Sequence, residues 1–358
     1  MTNTLQVRKL SLSWVWWVVW GTSLFLLTRT PVIGAEKLKR YEFLQIRMGI
    51  PVNITLYAPS EAIANQASKA AYDQFRKIDS IMSDYDPDSE LMQLCKNAAV
   101  AQPVGVSPEL FEVLTEAQKL SQQTDGAFDV TVGPVVKLWR IARRREELPD
   151  PQRLAKAMES VGYQNIELKK ENRSVILKKA NMQIDLGAIA KGYAADQALK
   201  AMKAHGISKV LIDAGGDIVA GDSPPGREFW MIEIEKLQSE SDAETPIVHL
   251  NNAAIATSGD AYQFLEIDGA RYSHIVNPLT GKGLTTTSTV TVIAPTGMAA
   301  DRLASAVSVL GAQKGLELIQ RNNKTELFMF TLDAEGEISA TVSDGFSKYF
   351  AAQHISDN

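Results

Sequence analysis

The spacing of apolar residues changes repeatedly along the chain, and each change marks an element. Residues 41–58 alternate apolar and polar, which predicts two strands, or one strand bent at Gly49-Ile50-Pro51. From Ser60 the spacing becomes helical, with Ile63, Ala67, Ala70, Ala71, Phe75 and Ile78 on one face and the serine as cap. A turn-rich loop, Ser83 to Ser89, opens a second helix at Ser89-Glu90. Val104 to Val106 is short and extended. Ser107-Pro108 starts a helix through Thr124, which Asp125-Gly126 breaks.

Residues 129–139 mix Val, Thr, Gly and Pro, and Arg143 to Glu147 reads as a solvated surface segment. A short helix over 151–161 and a hairpin over 166–177 follow. Met182 to Gly192 then changes character within a few residues. Gln183 to Leu186 reads as the end of a strand, Gly187 turns the chain, and helical spacing runs from Ala188 through Ala190, Tyr193, Ala194, Ala198, Leu199 and Met202 to a stop at Gly206. Further strands are expected at 209–212, 229–234, 253–257 and 289–293, with a hairpin around Asp268-Gly269 and another around 333–336. Met298 to Leu310 and Gln313 to Gln320 read as helices, and Gln238 to Thr245 as a polar loop. Helices and hairpins intermixed, with no repeat and no long linker, predict an α+β fold (mixed α/β) with mixed sheets flanked by helices.

The first 35 residues differ in kind. Arg8 and Lys9 precede an apolar run from Leu10 to Leu27 that holds four of the six tryptophans, and Pro31 to Ala35 ends in small residues. This matches an export signal cleaved after Ala35 or an uncleaved anchor, since about 18 apolar residues just span a bilayer. No cysteine stands directly after the run, so a lipid anchor there is excluded. Either reading keeps the positive charges inside and exports residues 36–358 as one domain, periplasmic or facing the periplasm from the inner membrane. Residues 1–35 carry three of the 37 basic side chains and none of the 42 acidic ones, so the body has a net charge of −8. That argues against nucleic-acid binding. The single cysteine, Cys95, forbids an intramolecular disulfide and reads as a buried helical thiol rather than a nucleophile.

Several stretches have chemical potential. Asp185, Gly187, a helix start and Lys191 fall within seven residues, a place to hold a pyrophosphate, though an Asp before a helix is also an ordinary N-cap. Asp301 and Ser305 stand four apart on one helix. Two hard oxygens on one face suit Mg²⁺, and the plainer reading is a first-turn Asp and a packing Ser. His274 is placed on a strand before the Asn277-Pro278 turn, and is either structural or catalytic. Gly126 to Asp129, Ala214 to Asp217 and Thr257 to Gly259 permit close backbone approach or simply end elements.

Eight segments in series resemble the ApbE family, the FAD:protein FMN transferases. They are Met48-Gly49; Met82 to Tyr85 with Asp88 to Glu90; Asp125 to Asp129 with Gly133-Pro134 and Leu138-Trp139; Asp185 to Tyr193; Ala214 to Asp217; Ala256 to Gly259; Tyr272 to Ile275 with Pro278 and Gly281; and Ala300-Asp301 through Ser305. The resemblance implies that FAD is the substrate and Mg²⁺ the cofactor. A threonine or serine hydroxyl of an acceptor protein, for example a subunit of a membrane redox complex, would take FMN through a phosphoester as AMP leaves. It implies Asp301, Ser305 and the Ala188 carbonyl as metal ligands. Met48, Tyr85, Ala127, Phe128, Asp129, Asp185, Lys191 and Ile275 would line FAD, with Tyr85 a stacking surface. His274 would take the hydroxyl proton, with Asp185 and Asp301 as alternatives. Ser305 stands where the family usually has Thr. The competing expectations are an FAD pyrophosphatase yielding FMN and AMP, and an exported flavin-binding protein without catalysis.

Overall fold

The computed structural model describes residues 37–234, 246–259, 264–332 and 336–350. The N-terminal signal or anchor and the polar loop at 238–245 lie outside the described residues. The strands are β1 (Lys39–Arg47), β2 (Ile50–Ala58), β3 (Pro103–Gly105), β4 (Ile166–Lys169), β5 (Ser174–Leu177), β6 (Val210–Ala214), β7 (Asp217–Ala220), β8 (Trp230–Glu233), β9 (Ile247–Leu250), β10 (Ala253–Gly259), β11 (Phe264–Ile267), β12 (Ala270–Ser273), β13 (Thr287–Ala294), β14 (Glu326–Leu332) and β15 (Ile338–Val342). The helices are α1 (Glu61–Met82), α2 (Glu90–Asn97), α3 (Pro108–Gln123), α4 (Gly133–Arg145), α5 (Pro151–Met158), α6 (Ala190–Ala204), α7 (Gly297–Leu310) and α8 (Ala312–Gln320).

An eight-stranded sheet, ordered β1-β2-β6-β7-β10-β13-β14-β15, organises the rest, and its neighbours pair antiparallel. Alternation along each strand sorts side chains between two cores. Val52, Ile54, Leu56, Val210, Ile212, Val290, Val292, Leu327 and Met329 face helices α1, α6, α7 and α8. On the other face Ile255, Ile293 and Phe328 pack with Trp230, Ile232, Val248 and Leu250 of the β8–β9 ribbon and with Phe346. Both faces are therefore covered over the central strands, which leaves the ends of the sheet open to a site.

The turns show which end. β1 and β2 are joined by Met48-Gly49, and β6 and β7 by Gly215-Gly216, all four with positive φ. Two-residue turns of this hand match the twist of the flanking strands. Val52 pairs with Ala214, so the two turns lie side by side. β10 runs antiparallel to β7 and brings Thr257 to Gly259 to the same end, opposite Thr289 to Thr291 of β13.

Helices α6 and α7 meet at Gly192 and Gly297. A Cβ on Gly192 would stand 2.1 Å from the Gly297 carbonyl oxygen, and one on Gly297 would stand 2.6 Å from the Gly192 carbonyl oxygen. Side chains are excluded, so the backbones touch. Asp196 of α6 completes the joint by accepting from the Gly297 and Met298 N–H groups at 2.7 and 2.9 Å. It thereby satisfies free donors at the start of α7.

The structure departs from the sequence-based expectations in several places. Gln183 to Leu186 is not part of a ladder. Gln183 makes one parallel bridge with Val132, and the Asp185 N–H donates to the Val130 carbonyl at 2.8 Å. Gly133 backs onto the Gln183 carbonyl, so the neighbouring segment enters α4 instead of continuing as a partner strand. Helix α6 begins at Ala190, two residues later than its spacing suggests, because the chain turns at 187–189. The segment 143–147 is solvated as expected, with residues 144–147 exposed, and most of it forms the last turn of α4, whose basic side chains suit a helix C-terminus. Cys95 packs against the core, its Sγ accepts from the Ile184 N–H, and burial pushes its thiol pKa up, as a structural cysteine requires.

Gly192→Ala is expected to cost about 1–3 kcal/mol or more, read as a lower urea midpoint at unchanged slope. Gly105→Ala, which meets nothing within 4 Å, is expected to stay within about 0.5 kcal/mol.

Candidate active site

At the shared end of the sheet three charged side chains converge between α6 and α7. Lys191 comes from the first turn of α6, Asp301 from α7, and Asp217 begins β7 on the same face as Val219, toward the helices. The Lys191 ammonium pairs with Asp217, and Asp301 Oδ2 accepts the Gly192 N–H at 3.2 Å. Asp217 and Asp301 are 3% and 5% exposed, whereas the Lys191 side chain remains 30% exposed. The cluster is buried at its acidic side and open at its cationic side.

Two carboxylates against one ammonium leave an excess negative charge in a dry setting. Burial, then the charge of Asp217, pushes Asp301 up to about 7, against the opposing pull of Lys191 and the Gly192 N–H. Burial also raises Asp217, with Lys191 opposing. For Lys191 burial disfavours the charge, but Asp217 and Asp301 outweigh it and hold the ammonium ionised.

Ser305 lies one turn beyond Asp301, half-buried on the same helix, and Ala188 is half-buried in the turn that leads to α6. A carboxylate, a hydroxyl and a backbone carbonyl are all hard oxygen donors, and the excess negative charge is what a divalent cation neutralises. Among the described residues no three His, Cys, Asp or Glu side chains gather for a metal. An ion here would complete its shell with water and substrate oxygens, which is the habit of Mg²⁺. The residues fit the ion.

A second cluster sits at the approach to α6. Asp185 is not the helix N-cap. Its Oδ1 accepts the Gly187 N–H at 2.8 Å and its Oδ2 pairs with Arg140 at 2.9 Å. Burial raises its pKa, Asp84 adds to the rise, and Arg140 opposes it. Arg140 also pairs with Asp84, and its guanidinium lies over the Tyr85 ring, 4.4 Å from the centroid. The Tyr85 side chain is otherwise open, 76% exposed.

The loop after α3 buries Ala127, Phe128 and Asp129. The Asp129 carboxylate is engaged locally. Oδ1 accepts from the Thr131 N–H and hydroxyl, and Oδ2 from the Tyr163 N–H at 2.7 Å. It fixes the loop, so a nucleotide along this loop would meet its backbone and neighbours. His274 lies in a bend past the end of β12 rather than on the strand, with Ile275 N–H bonded to Ser273 Oγ at 3.1 Å. Ser273 to Leu284 closes on itself through three backbone bonds across its arms, Ser273 N–H to Leu284, Leu284 N–H to Ile275 and Asn277 N–H to Lys282, and the Trp139 indole donates to the Gly281 carbonyl at 2.8 Å. A cleft of about 430 Å³ brings Ala127, Asn277 and Leu279 to Val309 and Leu310 at the end of α7. Met48 sits half-buried in the β1–β2 turn at the same end of the sheet as Asp217.

Three participants escape sequence reasoning: the pairing role of Asp217, the latch Asp196, and Arg140. Asp217 at least stood in a glycine-rich segment already singled out. Arg140 carries no local signal, because its partners are 45 and 56 residues away.

The model of the ApbE family matches residues 48–329. The chain belongs to the ApbE family. Among its relatives, a FAD:protein FMN transferase of Haemophilus influenzae is 37% identical over 254 residues, covering 69% of this chain and 73% of that protein. One of Vibrio cholerae is 31% identical over 339 residues, 93% of this chain and 96% of that protein. Among solved structures, the Vibrio cholerae flavin transferase ApbE superposes with a TM-score of 0.79 at 27% identity over 87% of this chain and 100% of that chain. The apo form of the Pseudomonas stutzeri flavinyl transferase ApbE gives 0.75 at 27% identity, covering 88% and 98%. The α+β architecture is thus that of ApbE proteins.

The raised pKa of Asp301 has a sign. The folded state favours the neutral acid, so without metal this group withdraws stability as pH rises from about 4 through about 7. Asp301→Asn is expected to match the wild type in thermal unfolding near pH 4 and to exceed it near pH 8 by a few kcal/mol, both measured in chelator. Equal stability of the two proteins at both pH values would refute the assignment.

Proposed function

We propose that the protein transfers FMN from FAD to a threonine or serine hydroxyl of an acceptor protein, with Mg²⁺ as cofactor and AMP as leaving group. The observation that carries this reading is the buried acidic excess around Asp301, opening toward Lys191 at the start of α6. It is a place where a cation and a diphosphate neutralise one another. The names of the relatives supply the donor and the acceptor class.

Asp301, Ser305 and the Ala188 carbonyl would hold Mg²⁺. When bound, the ion offsets the diphosphate charge and the charge that develops on the leaving oxygen. Lys191, fixed by Asp217, presents its ammonium at the open side of the cluster and orients the diphosphate. The N–H groups of the first turn of α6 add partial positive charge, although Gly192 is already committed to Asp301. Met48, Tyr85, Ala127, Phe128, Asp129, Asp185 and Ile275 form the walls for the FMN half.

The acceptor oxygen bonds to the FMN-side phosphorus while the bond from that phosphorus to the AMP oxygen breaks. The hydroxyl proton passes to the His274 imidazole. FMN stays on the acceptor as a phosphoester. Residues 1–35, as signal or anchor, would place this reaction on the periplasmic side of the inner membrane.

Mass spectrometry of an acceptor co-expressed with the protein is expected to show the added mass of FMN on a threonine or serine. Asp301→Ala is expected to lower AMP release by about 100-fold or more while FAD binding is only weakened. Chelation should abolish release and Mg²⁺ restore it. Wild-type protein that holds FAD with Mg²⁺ yet never releases AMP would be a binding protein. Free FMN with an unmodified acceptor would make it a hydrolase.

A further inference from the structure

Arg140 makes three contacts at once. One nitrogen of its guanidinium pairs with Asp84, another with Asp185 at 2.9 Å, and its central carbon lies over the Tyr85 ring, 4.4 Å from the centroid. We infer that Arg140 is a positioning residue for the flavin: it sets the plane of Tyr85, whose free face receives the isoalloxazine ring. The inference rests on the proposed FAD-dependent function and goes beyond it by naming the residue that prepares the stacking surface.

Tyr85 sits on a loop and is 76% exposed, so its side chain has little packing of its own to fix a rotamer. The loop backbone needs no help from Arg140. Ser83 Oγ accepts from the Tyr85 and Asp86 N–H groups at 3.3 and 3.2 Å, Ser89 Oγ donates to the Ser83 carbonyl at 2.6 Å, and Gln93 donates to the Pro87 carbonyl at 2.8 Å. What remains to be fixed is the ring, and the Arg140 guanidinium lies over it, with Arg143 of the same helix also within electrostatic reach.

A guanidinium can do this because it is planar. Two ion pairs made by different nitrogens fix that plane, and the plane then fixes the ring against it. A lysine ammonium has no plane and cannot fork across two carboxylates while stacking. Arg140 is itself held, because α4 buries Val135, Trp139 and Ala142, and Trp139 is bonded to the Gly281 carbonyl. Through Asp185, whose other oxygen holds the Gly187 N–H, the flavin platform is tied to the turn that carries Ala188.

The test is a titration of FAD followed by flavin fluorescence, since a phenol ring stacked on a flavin quenches its emission. Arg140→Lys is expected to weaken FAD binding about ten-fold and to lose most of the quenching, with the loss in turnover appearing in KM rather than kcat. Tyr85→Ala should abolish the quenching, and in that background Arg140→Lys should change affinity by less than about two-fold. The pair Asp84→Asn with Arg140→Gln, which removes the Asp84–Arg140 charge pair, keeps hydrogen-bonding groups and leaves Asp185 as the one charge of the cluster, should lose the quenching as Arg140→Lys does.

Wild-type affinity and quenching in either variant would overturn the inference. So would an affinity loss that persists undiminished in the Tyr85→Ala background, because Arg140 would then act on something other than the ring. If the wild type itself bound no FAD, the proposed function would fall and this inference with it. FAD binding by the wild type with no effect of either variant removes the inference alone.

Discussion

The touching backbones of α6 and α7 at Gly192 and Gly297 are the constraint on which the site depends. Close approach lets each helix satisfy the other's first turn. Asp196 of α6 takes two N–H groups at the start of α7, and Asp301 of α7 takes the Gly192 N–H at the start of α6. Larger residues at either glycine would separate the helices, and both carboxylates would lose their donors together. The same approach carries Asp301 onto the end of the sheet, where β7 delivers Asp217 and the first turn of α6 delivers Lys191.

This arrangement is electrostatically unfinished. Burial pushes Asp196 up to about 6 even with two backbone donors, and Asp301 up to about 7. A structural salt bridge would match its charges; here the acids outnumber the cation. Excess buried charge is a cost to the fold that a bound cation would relieve. Asp129 shows the contrast. It is similarly buried and burial raises its pKa as well, but no second carboxylate adds to the rise, and three donors from Thr131 and Tyr163 oppose it and hold the loop.

The Arg140 cluster obeys the same logic at the other side of the site. Asp84 and Asp185 would repel each other if the guanidinium did not lie between them. Their shared partner connects a loop after α1, a helix that packs under the 273–284 loop, and the turn before α6. Long-range pairs of this kind are how separate loops come to form one surface, on elements whose own backbones are fixed by local hydrogen bonds.

Much of this was legible along the chain. Strand alternation, the serines at helix starts, and the Asp268-Gly269 turn are local consequences of residue type, and the structure repeats them closely. Asp185, Lys191, Asp301 and Ser305 stood out because helix spacing and turn chemistry are also local. Spacing could not say that residues 183–186 would lack a ladder, since strand formation needs a partner and the neighbouring chain enters α4 after Val132. Nor could it say that Lys191 would face Asp217, that Asp196 would latch α7, or that Arg140 would bridge Asp84 and Asp185. Those pairs join residues 26 to 101 positions apart. The sequence by itself determined the elements and most of the reactive groups, because those depend on neighbours in the chain. Only the tertiary structure decided which charges meet and which remain unbalanced, because burial and distance are properties of packing.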